Sequence, residues 1–151
     1  MGTRYAAFFL CLLLGASPLI PAQELPAADP GALVGLTLEA LLNRFGPPKR
    51  VYAARGAEEW QDDVVFVYND GDYYVASDRV WQIGVKAAYG IKQGDPKAAA
   101  VLIAGEEGED HIDHLRWTLP NKGGRGWPLV LRCNFDTKGM VQEIFIFRPD
   151  F

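Results

Sequence analysis

The stretch GLTLEALLNRFGPPKR, residues 35–50, decides how the rest of the chain is interpreted. Its bulky apolar residues recur at the spacing i, i+3, i+4 and i+7, which defines one side of a helix. Thr37 can cap the helix start through its hydroxyl, and Gly46 can adopt the left-handed conformation that ends a helix. The two prolines that follow forbid continuation. The stretch therefore predicts a short amphipathic helix with a defined end. The residues at this spacing are Leu38, Leu41, Leu42 and Phe45.

The first 22 residues have the pattern of a secretory signal peptide. Arg4 precedes an apolar run, and small residues follow up to Ala22, after which we predict cleavage. An uncleaved anchor is the alternative, but the run is shorter than the roughly 20 apolar residues that span a bilayer. Cys11 lies within the apolar run, where it is a poor lipidation site. Residues 23–32 are rich in proline and alanine and predict a flexible leader.

Cleavage leaves residues 23–151, in which residues 33–151 are expected to form a single α+β domain, and the chain has an acidic balance. Arg4 is one of 15 Lys and Arg residues against 19 Asp and Glu, so its removal changes the formal net charge from −4 to −5. Nucleic-acid binding needs a basic footprint, and this balance argues against it. Cys133 then remains alone, so no internal disulfide is expected, and we interpret it as a small buried apolar residue.

Segments rich in β-branched and aromatic residues follow the first helix and predict strands. They lie at residues 60–69, 73–77 and 80–89, and residues 50–55 are compatible with a further strand. In the second half, Asp95 is expected to cap a helix that starts at Pro96 and ends at Gly105. Further strands are predicted at residues 112–119, 128–135 and 140–148.

Each half thus has the order helix, strand, strand, strand, which indicates an internal repeat. One such unit has too little core to fold alone, so the two units are expected to share one. The predicted fold class is α+β, with two helix-plus-three-strand repeats whose helices pack on one face of an antiparallel sheet. The repeats are placed at residues 35–89 and 90–148.

The first half resembles the BamE/SmpA family of small envelope proteins. Gly35-Leu36-Thr37 stands at that family's Gly-hydrophobic-Thr start, residues 45–48 at its Leu-Gly-x-Pro, and Trp60 at its tryptophan-bearing strand. The tandem arrangement resembles the β-lactamase inhibitor protein architecture. The resemblance implies a non-enzymatic, protein-binding module of the cell envelope. The family's lipid-anchoring cysteine is absent here.

The segment DHIDH, residues 110–114, contains metal-ligand residue types. If a strand starts at Ile112, His114 points away from His111 and Asp113, because successive residues alternate between faces. A zinc site needs three or four converging ligands, so the pattern favours the solvent-exposed start of a strand over a metal site. We predict no metal site and no cofactor. No Ser-His-Asp or Cys-His arrangement is evident, and no catalytic residue is assigned.

Basic residues alternate with apolar ones on three of the predicted strands, which suggests a binding surface. The apolar sets are expected to face the core: Trp81, Ile83 and Val85; Leu115, Trp117 and Leu119; Leu129, Leu131, Cys133 and Phe135. The sheet face away from the helices would then carry Lys86, His114, Arg116 and Arg132, and the glycine-rich loop 121–126 would add Lys122 and Arg125. An ordinary solvated face, balanced by nearby carboxylates, is the alternative.

The first functional hypothesis is therefore an exported binding or scaffold module, periplasmic or secreted, that uses this basic face to bind an acidic protein partner. No integral membrane span is expected after cleavage. An inhibitor of a periplasmic or secreted hydrolase is the second hypothesis. An enzyme or metal-binding protein that uses residues 105–114 is the third.

Overall fold

The computed structural model of the protein describes residues 29–56, 62–105, 108–120 and 126–151. A 3-10 helix at Pro30–Leu33 precedes two eight-residue α-helices, α1 (Leu38–Phe45) and α2 (Lys97–Ala104). The described strands are β1 (Arg50–Ala54), β2 (Asp63–Val67), β3 (Gly71–Ala76), β4 (Arg79–Val85), β5 (Ala87–Ala88), β6 (Ile91–Lys92), β7 (Glu109–Asp110), β8 (His114–Leu119), β9 (Leu129–Phe135) and β10 (Val141–Phe147). The predicted signal peptide and the leader up to residue 28 lie outside the described residues.

Eight of these strands form one antiparallel sheet in the order β1-β2-β3-β4-β10-β9-β8-β7. Strands β1 to β4 form one meander of hairpins, and β7 to β10 form another. The two meanders join where Gln82 to Val85 of β4 pair with Ile144 to Phe147 of β10. Strands β5 and β6 form a separate two-stranded ribbon between the two halves of the chain.

The structure corrects the predicted fold class. Four sheet strands follow α1 and four follow α2, so the division into two helix-plus-three-strand repeats is wrong and the chain is mainly β. The predicted boundary after residue 89 falls inside the ribbon, where Ala88 pairs with Ile91. Side-chain alternation, on which the prediction depended, cannot reveal a strand as short as β7. That strand exists because Glu109 and Asp110 pair with Arg116 and Leu115.

The Thr37 cap predicted for α1 is confirmed, because the backbone N–H of Ala40 donates to Thr37 Oγ1 at 3.1 Å. Gly46 ends the helix with a positive φ of 73°, as expected, but its ψ of −158° is outside the left-handed helical conformation. For α2 the predicted start is wrong, because Pro96 occupies the N-cap position and makes no side-chain cap. Asp95 accepts a hydrogen bond from the backbone N–H of Lys92 instead, at 2.8 Å.

One face of the sheet and both helices enclose the main core. Leu41 of α1 and Ala100 of α2 are fully buried against the sheet. The predicted core-facing positions of β8 and β9 are confirmed, with Trp117 the one residue only partly buried. The buried sheet residues in this core include Tyr73, Ile83, Leu115, Leu131, Cys133, Ile144 and Ile146. The opposite face of the sheet is called the outer face below.

Trp81 was predicted to face the core, and that prediction is wrong. Tyr74 lies opposite Gln82 while the next residue, Val75, lies opposite Val80, so Trp81 is an extra residue in β4. A bulge of this kind breaks the strict alternation of side chains between the two faces. The Trp81 indole reaches the outer face, where its Nε1 donates to Asp63 Oδ1 at 2.9 Å.

Candidate protein-binding face of the sheet

Two arginines lie directly opposite each other on the outer face. Arg116 of β8 is paired in register with Arg132 of β9. The Arg116 guanidinium lies 5.8 Å from the ring centroid of Phe147, and that of Arg132 lies 5.6 Å from the ring centroid of Phe145. Both phenylalanines belong to β10, the strand beside β9. The two cations are thus held over two aromatic rings, and we refer to Arg116 and Arg132 as the arginine pair.

The arginine pair lies near carboxylates without forming a salt bridge to any of those in the described residues 29–56, 62–105, 108–120 and 126–151. The hydrogen bond with His114 lowers the pKa of the Asp113 carboxyl, and the Arg132 charge also contributes to this lowering. Glu109 is paired in register with Arg116, but its carboxylate lies 3.6 Å from His111 Nε2. Arg132 Nε donates to Asn134 Oδ1 at 2.9 Å. Like charges directly opposite on adjacent strands are destabilising, and a carboxylate bound between them would remove that cost.

The outer face continues from the arginine pair into an aromatic surface. The rings of Tyr74 and Phe145 meet edge to face, with centroids 6.3 Å apart, and the Arg50 guanidinium lies 4.9 Å above the Tyr52 ring. Val65 is paired in register with both Tyr52 and Tyr74 and is fully buried, although it lies outside the main core. Burial, followed by the proximity of Tyr52, raises the pKa of Tyr74, which therefore stays neutral.

Lys86 lies on the same surface but does not contact the arginine pair. It lines a shallow trough of about 400 Å³ together with Tyr74, Gly84 and Phe145. Gly84 helps to form the trough because it has no side chain, and a Cβ there would lie 3.3 Å from the Phe145 ring. Phe145 therefore separates the trough from Arg132, which lies over the same ring.

Carboxylates surround the basic part of the outer face. Asn134 Nδ2 donates to Glu143 Oε2 at 2.8 Å, close to Arg132. The predicted basic face is therefore narrower than expected, because Arg116 and Arg132 lie opposite each other and carboxylates lie around them. The acidic residues paired on or beside this face are Asp63, Asp72, Glu109 and Glu143.

His114 does not have the neighbours that the sequence predicted. Residues 111–114 form the turn of the β7–β8 hairpin, with the backbone N–H of His111 donating to the His114 carbonyl at 2.9 Å. The two imidazole rings consequently stack, with centroids 4.3 Å apart. His114 Nδ1 lies 2.7 Å from Asp113 Oδ1, and this hydrogen bond lowers the pKa of the Asp113 carboxyl. The expectation that His114 points away from both neighbours is wrong.

The histidine turn brings several metal-ligand residue types together, but among the described residues no three His, Cys, Asp or Glu side chains are placed to hold one ion together. Zinc sites in proteins use three or four protein ligands, and two stacked imidazoles do not provide that geometry. The turn lies beside Asn134, which is paired in register with His114, so His114 borders the arginine pair on the same strand.

Phe145, Phe147 and Tyr74 were not predicted as part of the site. The alternation in residues 141–147 contains the signal, because Ile144 and Ile146 face the core and the two phenylalanines face the other way. Their position under the arginines depends on the register of β9 and β10, which alternation does not supply. Lys122, Arg125 and Trp60 lie outside the described residues.

Comparisons with known proteins do not place the chain in a family. No protein-family model matches it, and no curated protein matches it. One solved structure, an extracellular protein containing an SCP domain from Bacillus anthracis str. Ames, shows a TM-score of 0.49 and 15% sequence identity. The match covers 79% of this chain and 45% of that one, so the chain spans less than half of the neighbour's length. A likeness at this level carries no functional argument.

These findings overturn the resemblance drawn from the sequence. Neither the BamE/SmpA family nor the β-lactamase inhibitor protein is found by any of the comparisons, and the mainly β structure lacks the expected repeats. The quoted motif residues have local structural roles instead, such as the Thr37 cap and the Gly46 helix end. No helix among the described residues is long and apolar enough to cross a membrane.

Proposed function

We propose that the protein is an exported, non-enzymatic binding module, periplasmic or secreted, whose outer face binds a protein partner with an exposed acidic segment. The observation that carries this proposal is the arginine pair. Two cations face each other across adjacent strands, each over a phenylalanine ring, and neither forms a salt bridge with a carboxylate of the described residues. Such a pair lowers stability in the free protein, which fits a surface selected for a bound anion.

The aromatic surface beside the arginine pair supports a protein rather than a small ion as the ligand. Protein interfaces are enriched in tyrosine, phenylalanine and arginine, and their cores exclude water around such anchors. Tyr52, Tyr74 and Phe145 extend the surface from the pair across five adjacent strands, β10 to β1. An extended acidic segment that crosses the strands would contact the arginine pair and the aromatic surface at the same time.

The state of Cys133 supports the non-enzymatic part of the proposal. Burial raises the pKa of its thiol to about 12, so the sulfur stays protonated at physiological pH. A nucleophilic cysteine needs the thiolate and access to substrate. Cys133 is fully buried in the main core and has neither.

Capture of the partner from exported or envelope fractions tests the proposal and identifies the biological role. The mature protein would be immobilised and compared with the double variant Arg116→Glu/Arg132→Glu. We expect the variant to lose about tenfold or more in partner affinity, because two attractive contacts become repulsive. Binding by the unaltered protein should weaken as ionic strength rises.

A matched control separates this site from general charge effects. Arg79→Glu/Lys138→Glu makes the same change in net charge at exposed positions away from the outer-face arginines. The control should retain the partner, and both variants should keep the circular dichroism spectrum of the parent. Equal capture by the outer-face variant and the parent would reject the site.

The identity of the recovered partner distinguishes a scaffold role from a role as a hydrolase inhibitor. Recovery of an envelope-assembly complex would support a scaffold role. Recovery of a hydrolase, with inhibition of its activity on addition of this protein, would support an inhibitor.

A further inference from the structure

The helix side of the sheet contains a second opening, distinct from the outer face. It is an open groove of about 890 Å³ that lies between the end of α1, the 3-10 helix at Pro30–Leu33 and the β5–β6 ribbon. Volumes of this size are typical of sites that hold small molecules. The groove lies where neither α1 nor α2 covers the sheet.

The floor of the groove is apolar. Phe45 and Val85 are partly exposed and provide its apolar surface, and the almost fully buried Leu33, Tyr73 and Ile91 of the main core lie beneath them. The one polar atom of the Tyr73 side chain is already satisfied, because its hydroxyl donates to Asp70 Oδ2 at 2.8 Å. A ligand in this groove therefore gains mainly by burying hydrocarbon.

The rim of the groove carries three cations and two carboxylates, so its formal net charge is +1. Arg44, Lys86 and Lys92 line it, and within the described ranges no salt bridge joins any of them to a carboxylate. The two acidic residues at the rim already accept hydrogen bonds. Asp70 accepts from Tyr73, and Asp29 accepts from the Tyr89 hydroxyl at 2.5 Å.

We infer that this groove binds a free long-chain monocarboxylate, with its alkyl chain on the apolar floor and its carboxylate at the cationic rim. The apolar floor selects an uninterrupted hydrocarbon chain, and the unpaired cations select a single anionic head. The groove meets the outer-face trough at Asn69, Val85 and Lys86, which line both openings. Neither arginine of the pair lines the groove, and Arg44 and Lys92 do not line the trough. The inference therefore goes beyond the proposed protein-binding function and does not depend on it.

Titration calorimetry with dodecanoate, below its micelle concentration, tests the inference on the mature protein. We expect saturable binding of one dodecanoate per chain. Dodecanol, which has the same chain without the charge, should bind about tenfold more weakly, as should dodecanoate to the variant Arg44→Gln/Lys92→Gln. The matched control Arg79→Gln/Lys138→Gln removes one arginine and one lysine elsewhere and should bind dodecanoate as the parent does.

Each contrary result overturns a stated part of the inference. Absence of saturable dodecanoate binding would reject the ligand class, and equal affinity for dodecanol would reject recognition of the head group. Loss of binding in the control variant would reject the assignment to the groove. Binding to phosphatidylglycerol vesicles without binding of free dodecanoate would show a membrane surface as the source of the anion and would also reject the inference.

Discussion

Two glycines on the adjacent strands β3 and β4 should respond differently to the same substitution. Gly71 lies opposite Val85, and Gly84 lies opposite Asp72. A Cβ added at Gly71 would lie 2.5 Å from the carbonyl oxygen of Gly84, which is a backbone atom. A Cβ added at Gly84 would instead meet the edge of the Phe145 ring at 3.3 Å, and that side chain can shift. We therefore predict that Gly71→Ala is strongly destabilising and Gly84→Ala is nearly neutral.

The magnitude follows from the geometry of the two contacts. In Gly71→Ala the strands must separate by at least 0.5 Å to bring the new contact from 2.5 Å to 3.0 Å. Overpacking of this kind costs about 1–3 kcal/mol. Both substitutions reduce the conformational entropy of the unfolded chain, which stabilises the protein by about 0.4–1 kcal/mol. That contribution cancels in the comparison, so Gly71→Ala should be less stable than Gly84→Ala by about 1–3 kcal/mol.

Urea unfolding monitored by tryptophan fluorescence measures this difference. For a small protein, an m-value of about 1–3 kcal/mol/M converts it into a midpoint difference on the order of 1 M. The m-values of the two variants should agree, which shows that only the folded state has changed. Coincident midpoints, or a higher midpoint for Gly71→Ala, would refute the argument from the backbone contact.

Three further predictions concern the core and two ionisable groups. Leu131→Ala, at a fully buried position, should destabilise the protein by about 2–5 kcal/mol in urea unfolding. Leu102→Ala, at a side chain that is 84% exposed, should change the stability by less than about 0.5 kcal/mol. Similar effects of the two substitutions would contradict the assigned core. Burial is the main cause that raises the pKa of the Asp63 carboxyl above its usual value of 3.8. Ionisation of Asp63 therefore costs more in the folded state than in the unfolded state, and the free energy of unfolding falls as the pH rises above 3.8. Asp63→Asn keeps an acceptor for the Trp81 indole and should melt higher than the parent at pH 7 but not near pH 3; a lower melting temperature at pH 7 would count against it. Cys133, whose pKa burial raises to about 12, should react with a maleimide far more slowly in the native protein than in urea at pH 8, and equal rates would show that the thiol is accessible.

Local features of the chain were predictable where their causes are local. The α1 helix depends on Thr37 and Gly46, which act within one turn of their own positions, and both were identified correctly. The Asp95 side chain is also of a type that caps helices, but its carboxylate accepts a hydrogen bond from the backbone N–H of Lys92 in the preceding turn. The backbone of Asp95 also accepts a hydrogen bond from Val141 of a distant strand, and such tertiary contacts are invisible in a local pattern.

Features that depend on strand register were not predictable. The bulge at Trp81 arises from the pairing of β3 with β4, and no residue type in β4 predicts it. The stacked histidines depend on a hairpin turn where a strand entrance was expected. In the candidate site, alternation placed Arg116 and Arg132 on the correct face, whereas their direct opposition and their phenylalanine platforms depend on three strands in register.

The strand order of the sheet also determines how the protein can fold. Every pairing in the eight-stranded sheet joins strands that are consecutive in the chain, except the pairing of β4 with β10. That ladder brings Val85 opposite Ile144, across about sixty residues of chain, so it bears most of the loop-closure entropy. We therefore expect docking of the two meanders along the four residue pairs of that ladder to be the slow step of folding. On this expectation, amide protons in the β4–β10 ladder become protected last, and topology rather than the outer-face side chains sets the rate of that step.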